Sequence, residues 1–223
     1  MTREELLKIA KPILFNTDMT KAILEDRKTA TRRICKDGNK CTVPDMSFFD
    51  AEKRTYAVHN YADAENIEKL SIAERKCPIC PSDILYVRET WQQGYDVDEN
   101  GEILEYPEKY IYAASVEHSK RKYIFWKPSI HMPKEAARIF LKVKDVRVER
   151  LQDITEDGIQ KEGVIVSRDE CVSEIDYVTE LYFHFQRLWD TTVLKADIDR
   201  YGWEANPWVW VIEFERIKPD TEV

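Results

Sequence analysis

The chain is short of glycine and has no long apolar run. None of its six glycines forms a glycine-rich loop of the kind that cradles phosphates in nucleotide-binding enzymes. The Gly-x-Ser-x-Gly turn of esterases and the His-Glu-x-x-His helix of zinc proteases are also missing. No segment approaches the roughly 20 apolar residues that span a bilayer, and the amino terminus lacks the apolar core of a signal peptide. We therefore expect a soluble, cytoplasmic protein with no membrane partner.

Cysteine is too sparse for a disulfide framework, since the chain has five and no secretory signal. The pair Cys77 and Cys80 has the two-residue gap of a metal knuckle, and Cys35 with Cys41 would complete a four-thiolate zinc site. The alternative is reduced thiols packed at the base of a loop. We favour this alternative because the interval between Cys35 and Cys41 is loose and a single Cys-x-x-Cys is a weak signal. The expectation is no metal and no cofactor.

The composition supports a core under a charged surface. Hydrophobic residues make up 43% of the 223 residues and charged residues 34%. This length suits one enlarged domain, so we predict a single domain over 1–223, with an insertion at 35–80 and a helical insertion at 165–200. From Asp83 onward the pattern is mainly β, with strands in irregular order interrupted by helices. The predicted fold class is α+β, a small mixed β-barrel with flanking helices and an inserted loop region.

Individual elements follow from periodicity. Thr17 is the predicted N-cap of a helix that runs to about Asp26. Alternation over 138–150 predicts a long strand with a change of phase at Lys144-Asp145, and a short helix is predicted near 64–75. A longer helix is predicted over 169–189. Its inward face is expected to consist of Val172, Ile175, Val178, Tyr182 and Phe185.

The charge is unevenly distributed along the chain. From His118 to Arg150 there are ten Lys or Arg against three Asp or Glu, a net +7, which leaves −15 for the rest of a chain whose net charge is −8. A second basic group lies at Arg27, Lys28, Arg32 and Arg33. One interpretation is a solvated strand face of alternating charge. The other is a local anion site, which would make a nucleic acid or a nucleoside the partner.

Six segments together resemble phage-type and prophage-type ASCH proteins. They are KPILF at 11–15, DRKTATRR at 26–33, DILYVRETW at 83–91, WKPSIHMP at 126–133, RVERLQDI at 147–154 and NPWVWV at 206–211. The similarity runs in order over nearly the whole chain, apart from 35–75 and 165–200. It implies a PUA-like β-barrel fold that handles nucleic acid or a nucleobase.

The segment 26–33 carries the most specific part of this resemblance. ASCH domains typically have Gly-x-Lys-x-x-Glu-x-Arg after their first helix; here Lys28 and Arg33 match, while Asp26 replaces the Gly and Thr31 replaces the Glu. The Thr variant resembles the branch that contains bacterial 4-N-acetylcytidine amidohydrolases. In that branch the Lys and the Thr act with a Glu from the short helix after the long strand, which corresponds to Glu162 here.

The same residues suit amide hydrolysis on chemical grounds. A lysine desolvated in a cleft near Arg27, Arg32 or Arg33 would have a lowered pKa, so that Lys28 could take the proton of the Thr31 hydroxyl. Thr31 would then attack an amide carbonyl, and Glu162 would donate a proton to the leaving amine or orient it. Backbone amides or Arg33 would stabilise the oxyanion. We expect Lys28 and Thr31, three residues apart at a helix end, to converge on one pocket. In the alternative interpretation Lys28 and Arg33 hold an anion or a buried carboxylate, while Thr31 and Glu162 serve the local fold.

A second set of candidate ligand-binding residues follows the strand at 84–89. Trp91 could stack on a base, Glu89 could accept a hydrogen bond from an exocyclic amine, and Arg88 ends the strand beside them. For Trp208 core packing is the favoured interpretation, with a place in the pocket as the alternative. His131 lies in a Pro-bounded loop that we expect to rim the cleft.

Four functions follow from these interpretations. The first is a nucleobase-recognising domain that hydrolyses an acylated or modified, cytidine-like nucleoside through Lys28, Thr31 and Glu162. The second is a non-catalytic RNA- or DNA-binding module. A weaker third is ribonuclease activity, and a fourth is a phage accessory protein that works through a protein partner. The sequence carries no indication of oligomeric state.

Overall fold

The computed structural model describes residues 1–35, 44–50, 55–60, 71–76, 78–97, 103–122 and 124–220. These residues form ten β-strands and six α-helices, which confirms the predicted α+β class. The strands are β1 (Lys11–Leu14), β2 (Ala30–Ile34), β3 (Pro44–Asp50), β4 (Thr55–Asn60), β5 (Ser71–Lys76), β6 (Ile84–Arg88), β7 (Trp91–Val97), β8 (Ile103–Tyr112), β9 (Phe140–Arg150) and β10 (Trp208–Ile217). The helices are α1 (Arg3–Ile9), α2 (Thr17–Leu24), α3 (His118–Arg121), α4 (Glu156–Lys161), α5 (Glu174–Thr192) and α6 (Ile198–Tyr201).

Five of the strands form one mixed sheet in the order β1-β6-β9-β10-β2. Strand β1 pairs with β6 in parallel, while β6 with β9 and β10 with β2 are antiparallel. Strands β3, β4 and β5 form a second sheet, and β7 with β8 a third. In the described part of the chain the five-stranded sheet has β1 and β2 as its edges, so it is not the closed barrel that the sequence led us to expect.

The chain divides into two compact units. Unit 1 consists of Met1–Arg27, Asp83–Lys142 and Glu215–Val223, and unit 2 of Lys28–Ser82 and Val143–Phe214. Strands β9 and β10 are thus divided between the units. None of the helices in the described ranges has both the length and the apolar character that crossing a membrane demands.

Unit 1 has its core where α1 and β6 meet the segment before β9. Leu6, Met132 and Phe140 are fully buried there, together with Trp91 at the start of β7. Apolar side chains from distant parts of the sequence therefore hold the segment 132–137, which has little regular structure, against β6 and β7.

Unit 2 has its core between α5, α4 and β10. Tyr177, Leu181, Phe185 and Trp189 recur every four residues along α5, and the same cluster contains Ile159 of α4 with Val209 and Val211 of β10. A four-residue interval places side chains on one face of a helix. This apolar face packs α5 against the core of unit 2.

The inward face predicted for α5 is wrong at its amino-terminal end. Val172 is 95% exposed and Ile175 80% exposed, whereas Phe185 is buried as predicted. The helix starts later than predicted because the Ser173 side chain caps it, accepting a hydrogen bond from the Asp176 N–H at 3.1 Å.

Other local predictions had mixed outcomes. Lys144 and Asp145 are both exposed between the buried Val143 and Val146, which confirms the phase change in β9. The helix predicted near 64–75 is wrong over 71–75, because these residues belong to β5 and pair with β4; residues 64–70 lie outside the described residues. The cap of α2 is Asn16 rather than Thr17, since its side chain accepts from the Met19 N–H at 2.8 Å.

Replacing Ser173 with Ala should lower the free energy of unfolding by about 1 kcal/mol, because the Asp176 N–H loses its acceptor. Urea denaturation of both proteins measures this difference. Ser167→Ala is the matched control, since Ser167 precedes a short 3₁₀ helix without making a side-chain cap bond within the described structure. Equal losses in the two variants would contradict a capping role for Ser173.

Candidate functional site

Backbone pairing in unit 2 brings Lys28 and Glu162 together. Thr29 donates its N–H to the Lys161 carbonyl at 2.8 Å and accepts from the Phe214 N–H at 2.8 Å. Lys28 and Glu162 form an antiparallel bridge beside these bonds. Glu162 is the C-cap of α4, so the helix end is held against the chain that enters β2.

The side chains of this pair make a buried ionic contact. Lys28 Nζ lies 2.5 Å from Glu162 Oε2 and donates a second bond to the Glu162 carbonyl at 2.9 Å. The two side chains are 0% and 4% exposed. Burial holds the pKa of Lys28 below its ordinary value of 10.5, and the Glu162 carboxylate opposes this shift.

Arg32 takes the other oxygen of Glu162. Its Nη1 donates to Glu162 Oε1 at 3.2 Å, while Nη2 and Nε donate to Glu149 Oε1 at 2.6 and 3.2 Å. The guanidinium therefore joins two carboxylates with separate nitrogens, which a lysine ammonium would not do in the same geometry. Glu162 is thus held by one cation on each of its oxygens.

The contacts continue from Glu149 towards the surface. Arg147 Nε donates to Glu149 Oε2 at 3.2 Å, and Arg147 Nη1 donates to Glu213 Oε1 at 2.7 Å. We call these residues the ionic cluster; its members are Lys28, Arg32, Arg147, Glu149, Glu162 and Glu213. Cations and carboxylates alternate along it, from a fully buried end at Lys28 to a partly exposed end at Arg147 and Glu213.

Gly158 in α4 makes room for the ionic cluster. A Cβ at this position would lie 3.2 Å from Arg32 Nη2 and 3.0 Å from Ile154 Cγ1. The glycine is not needed for its backbone angle, since Gly163 is the glycine with a positive φ among the described residues. Its role is therefore the close approach of the guanidinium.

Thr31 and Arg33 project from the opposite face of β2. Residues alternate between the faces of a strand, and Thr31 pairs across β10 with Ile212 whereas Arg32 pairs with Val211. Thr31 is buried, at 3% exposure. Burial lowers the pKa of Arg33, against the effect of Glu162. The structure therefore brings Lys28, Arg32 and Glu162 into contact and places Thr31 next to Arg32 in sequence but on the other face.

Two further candidates, Arg27 and Trp208, have partners of their own. Arg27 belongs to unit 1 and pairs with Glu25, its Nε lying 2.9 Å from Glu25 Oε2. Trp208 is buried, as core packing requires, and the Arg150 guanidinium lies 4.1 Å from its ring centre. The Trp208 indole N–H is buried without a hydrogen-bond partner in the described part of the chain.

Unit 1 holds the second set, around Glu89. Arg138 binds this carboxylate with two nitrogens, Nε at 2.8 Å and Nη2 at 2.9 Å. Glu89 is 1% exposed, and burial raises its pKa while Arg138 lowers it. The Arg138 guanidinium also lies 3.9 Å from the ring centre of Tyr112, whose pKa burial raises to about 12. The oxygens of Glu89 are thus engaged with a cation of its own unit.

Arg88, Trp91 and His131 have different surroundings. Arg88 donates to the carbonyls of Ile130 and Met132, the second at 3.1 Å, and so holds the loop around His131. His131 itself is exposed. Trp91 is buried and lies edge-on to Tyr110, with ring centres 5.6 Å apart. These contacts describe a packed scaffold with His131 at its surface.

The cysteines divide between described and undescribed residues. Cys35 and Cys80 are buried in unit 2, while Cys41 and Cys77 lie outside the described residues. Within the described ranges, no three His, Cys, Asp or Glu side chains are grouped as a metal site.

Sequence reasoning missed Glu149 and Arg138 as partners of the candidate residues. In the sequence, Glu149 occupies a position that alternation predicts to face solvent. Only the position of Arg32 in the folded chain identifies Glu149 as an ion-pair partner. Arg138 is one of ten cations in a basic segment, and no local signal distinguishes it. No protein-family model, curated protein or solved structure matches this chain.

Proposed function

We propose that unit 2 carries a nucleobase-recognising site that hydrolyses an acylated or otherwise modified, cytidine-like nucleoside. The observation that carries this proposal is the buried contact of 2.5 Å between Lys28 Nζ and Glu162 Oε2. A lysine and a glutamate that are far apart in sequence, and that the ASCH resemblance pairs in one reaction, share a site. With the resemblance we also propose a PUA-like arrangement for the five-stranded sheet and a cytoplasmic location.

The chemistry begins with a neutral Lys28. Burial lowers the pKa of this lysine, so a larger fraction is deprotonated near neutral pH than for an exposed lysine. The proposal requires the Thr31 hydroxyl, which this structure places on the other face of β2, to come within reach of neutral Lys28. Lys28 then accepts the hydroxyl proton, and the Thr31 oxygen forms a bond to the carbonyl carbon of the acyl group. The carbonyl electron pair moves onto the oxygen, which the guanidinium of Arg33 stabilises.

Glu162 completes the transfer. Its Oε2 contacts Lys28 Nζ directly, so the proton taken from Thr31 can pass along this contact and on to the leaving amine. The bond between carbonyl carbon and amine nitrogen breaks as that nitrogen is protonated. Water then attacks the acyl ester on Thr31, releases the carboxylic acid and returns the hydroxyl. Arg32, bound to the other oxygen of Glu162, is a positioning residue in this scheme.

Turnover of 4-N-acetylcytidine to cytidine, followed chromatographically, tests this proposal. The wild-type protein should release cytidine, and Lys28→Met should lower kcat about a hundredfold because the general base is lost. Thr31→Val should abolish turnover, whereas Thr31→Ser should retain it, since only the second keeps the nucleophile.

The control is Lys195→Met, which removes an exposed lysine of unit 2. Circular dichroism establishes that each variant is folded. No cytidine from the wild-type protein, at enzyme concentrations comparable with the substrate, would contradict hydrolysis of this substrate. Equal turnover by folded wild-type and Lys28→Met proteins would contradict the assignment of the site.

A further inference from the structure

The segment 118–134 of unit 1 combines cations of one sign with an exposed aromatic ring. It contains five Lys or Arg and no Asp or Glu, in a chain whose net charge is −8. The cations are Lys120, Arg121, Lys122, Lys127 and Lys134. Residues 118–122 and 124–134 of this segment are described by the structure.

Phe125 is exposed to solvent, although hydrogen bonds hold the backbone at and after it. Its side chain is 90% exposed, although its carbonyl accepts a hydrogen bond from the Gln92 side-chain amide. The following Trp126 donates its indole N–H to the Arg121 carbonyl at 2.9 Å. Lys127 and Trp91 exchange two backbone hydrogen bonds, at 2.8 and 3.2 Å. The ring is therefore presented to solvent by a backbone that is tied down at and after Phe125.

The cations next to Phe125 are open to solvent. Lys120, Lys122 and Lys127 are exposed. Lys120 pairs with Glu117 at 3.4 Å, and both side chains are more than half exposed, so this pair contributes little to stability. The Lys127 ammonium lies 4.9 Å from the ring centre of Trp91. Exposed lysines therefore precede and follow the exposed ring along the chain.

These properties together select one class of partner. Lysine is depleted in the dry cores of protein interfaces, so a ring among lysines is poorly suited to an apolar protein partner. Single-stranded nucleic acids offer a base face for an aromatic ring and phosphates for lysines. A duplex keeps its base faces stacked, and an exposed ring gains little from it.

We propose that the segment 118–134 is a binding surface for single-stranded nucleic acid. A base stacks on Phe125, and the flanking phosphates are bound by Lys120, Lys122 and Lys127. The surface belongs to unit 1 and uses no residue of the ionic cluster, so it does not depend on the proposed hydrolysis.

Fluorescence anisotropy of the full chain with labelled oligouridine and oligothymidine of about 12 nucleotides tests this surface, since single-strand sites cover about 4–16 nucleotides. Phe125→Ala should weaken binding about tenfold, because one base loses its stacking partner. Phe125→Trp should bind at least as tightly as the wild type, since it keeps a stacking ring. Leu194→Ala is the control, as it truncates another exposed apolar side chain.

The salt dependence reports on the lysines. For single strands, log K falls with log salt with a slope of about −0.7 per phosphate contact, so Lys120→Ala/Lys122→Ala should make the slope shallower by about 1.4. Lys195→Ala, which removes an exposed lysine of unit 2, should leave the slope unchanged.

Several outcomes would overturn the proposal. One is that neither oligonucleotide binds at low salt. Another is that a duplex of the same length binds as tightly as the single strands and Phe125→Ala changes nothing. A third is that vesicles of phosphatidylserine and phosphatidylcholine bind in a Phe125-dependent way while oligonucleotides do not, which would assign the segment to a membrane surface.

Failure of this proposal can be told apart from failure of the proposed hydrolysis. Phe125→Ala should turn over free 4-N-acetylcytidine at the wild-type rate, because unit 2 is unchanged. Lys28→Met should bind the oligonucleotides with wild-type affinity. If Lys28→Met instead lost oligonucleotide binding while Phe125→Ala kept it, the strand would bind elsewhere than on 118–134.

Discussion

Glu162→Gln should lower the free energy of unfolding by about 3–5 kcal/mol, which is the usual loss when one partner of a buried ion pair is removed. Glu162 neutralises both Lys28 and Arg32, whose side chains are almost fully buried. A glutamine keeps the shape but carries no charge. Lys28 would then lose the carboxylate that favours its charged form, whereas Arg32 would still have Glu149.

Replacing the cation of the pair instead of the carboxylate distinguishes the effect of charge on stability from the effect of side-chain shape. Lys28→Met should cost less than Glu162→Gln, because Glu162 retains Arg32 and the methionine fills the buried volume with apolar atoms. Urea denaturation measures both, and Glu204→Gln is the control, since Glu204 is an exposed acid of unit 2. A loss for Glu162→Gln no larger than that of the control would show that the ionic cluster does not stabilise the unit.

Arg138→Leu should lower the free energy of unfolding by a similar amount, about 3–5 kcal/mol near neutral pH. Arg138 is the bidentate partner of Glu89, a carboxylate with 1% exposure. Without it the buried carboxylate must either stay charged in an apolar environment or take up a proton. Arg187→Leu, at an exposed position of α5, is the control.

The loss in free energy of unfolding caused by Arg138→Leu should depend on pH. Burial raises the pKa of folded Glu89 above its ordinary value of 4.5, so the folded state holds the proton where the unfolded state has lost it. Its contribution is therefore fully present below 4.5 and is lost as pH rises through the folded pKa. Arg138 lowers the pKa of Glu89, so replacing Arg138 raises this pKa further. The difference between wild type and variant should shrink from neutral pH to about pH 5. A difference that grows towards acid would contradict this account.

The helices show how far local pattern predicts the fold. In α5 two sets of apolar residues have helical spacing, and the sequence alone did not separate them. The set that contains Tyr177, Leu181 and Trp189 is buried because these large side chains fill the space against β10, while Val172 and Ile175 stay in water. Periodicity identified the helix, but the choice of face depended on the volume available in unit 2.

Strands were harder to predict where they depend on distant partners. The segment 71–75 was predicted as part of a helix, yet it forms β5 because β4 offers a complete antiparallel register. Strand β7 was not predicted at all; its residues pair with those of β8. The alternation in β9, by contrast, is a local property, and its phase change was predicted correctly.

The candidate site was accessible from the sequence only in part. Lys28 and Glu162 were paired through the ASCH resemblance, and the structure places them 2.5 Å apart. Their convergence with Thr31 was expected from a helix end, but α2 ends at Leu24 and Thr31 lies in β2, so a three-residue interval no longer selects one face. Glu149 joins the cluster through strand positions that no local pattern encodes.

At position 158, the residue that would best stabilise helix α4 differs from the residue that the neighbouring side chains allow. A glycine within a helix costs about 1 kcal/mol relative to alanine, and α4 is only a short helix. Alanine would favour the helix, but its methyl group would displace Arg32 Nη2, the nitrogen nearest to Glu149. The size of the residue at position 158 therefore affects the ion pair between Arg32 and Glu149, although glycine itself carries no charge. Helix propensity therefore does not decide the residue at 158; the space that the guanidinium of Arg32 needs beside Glu149 does.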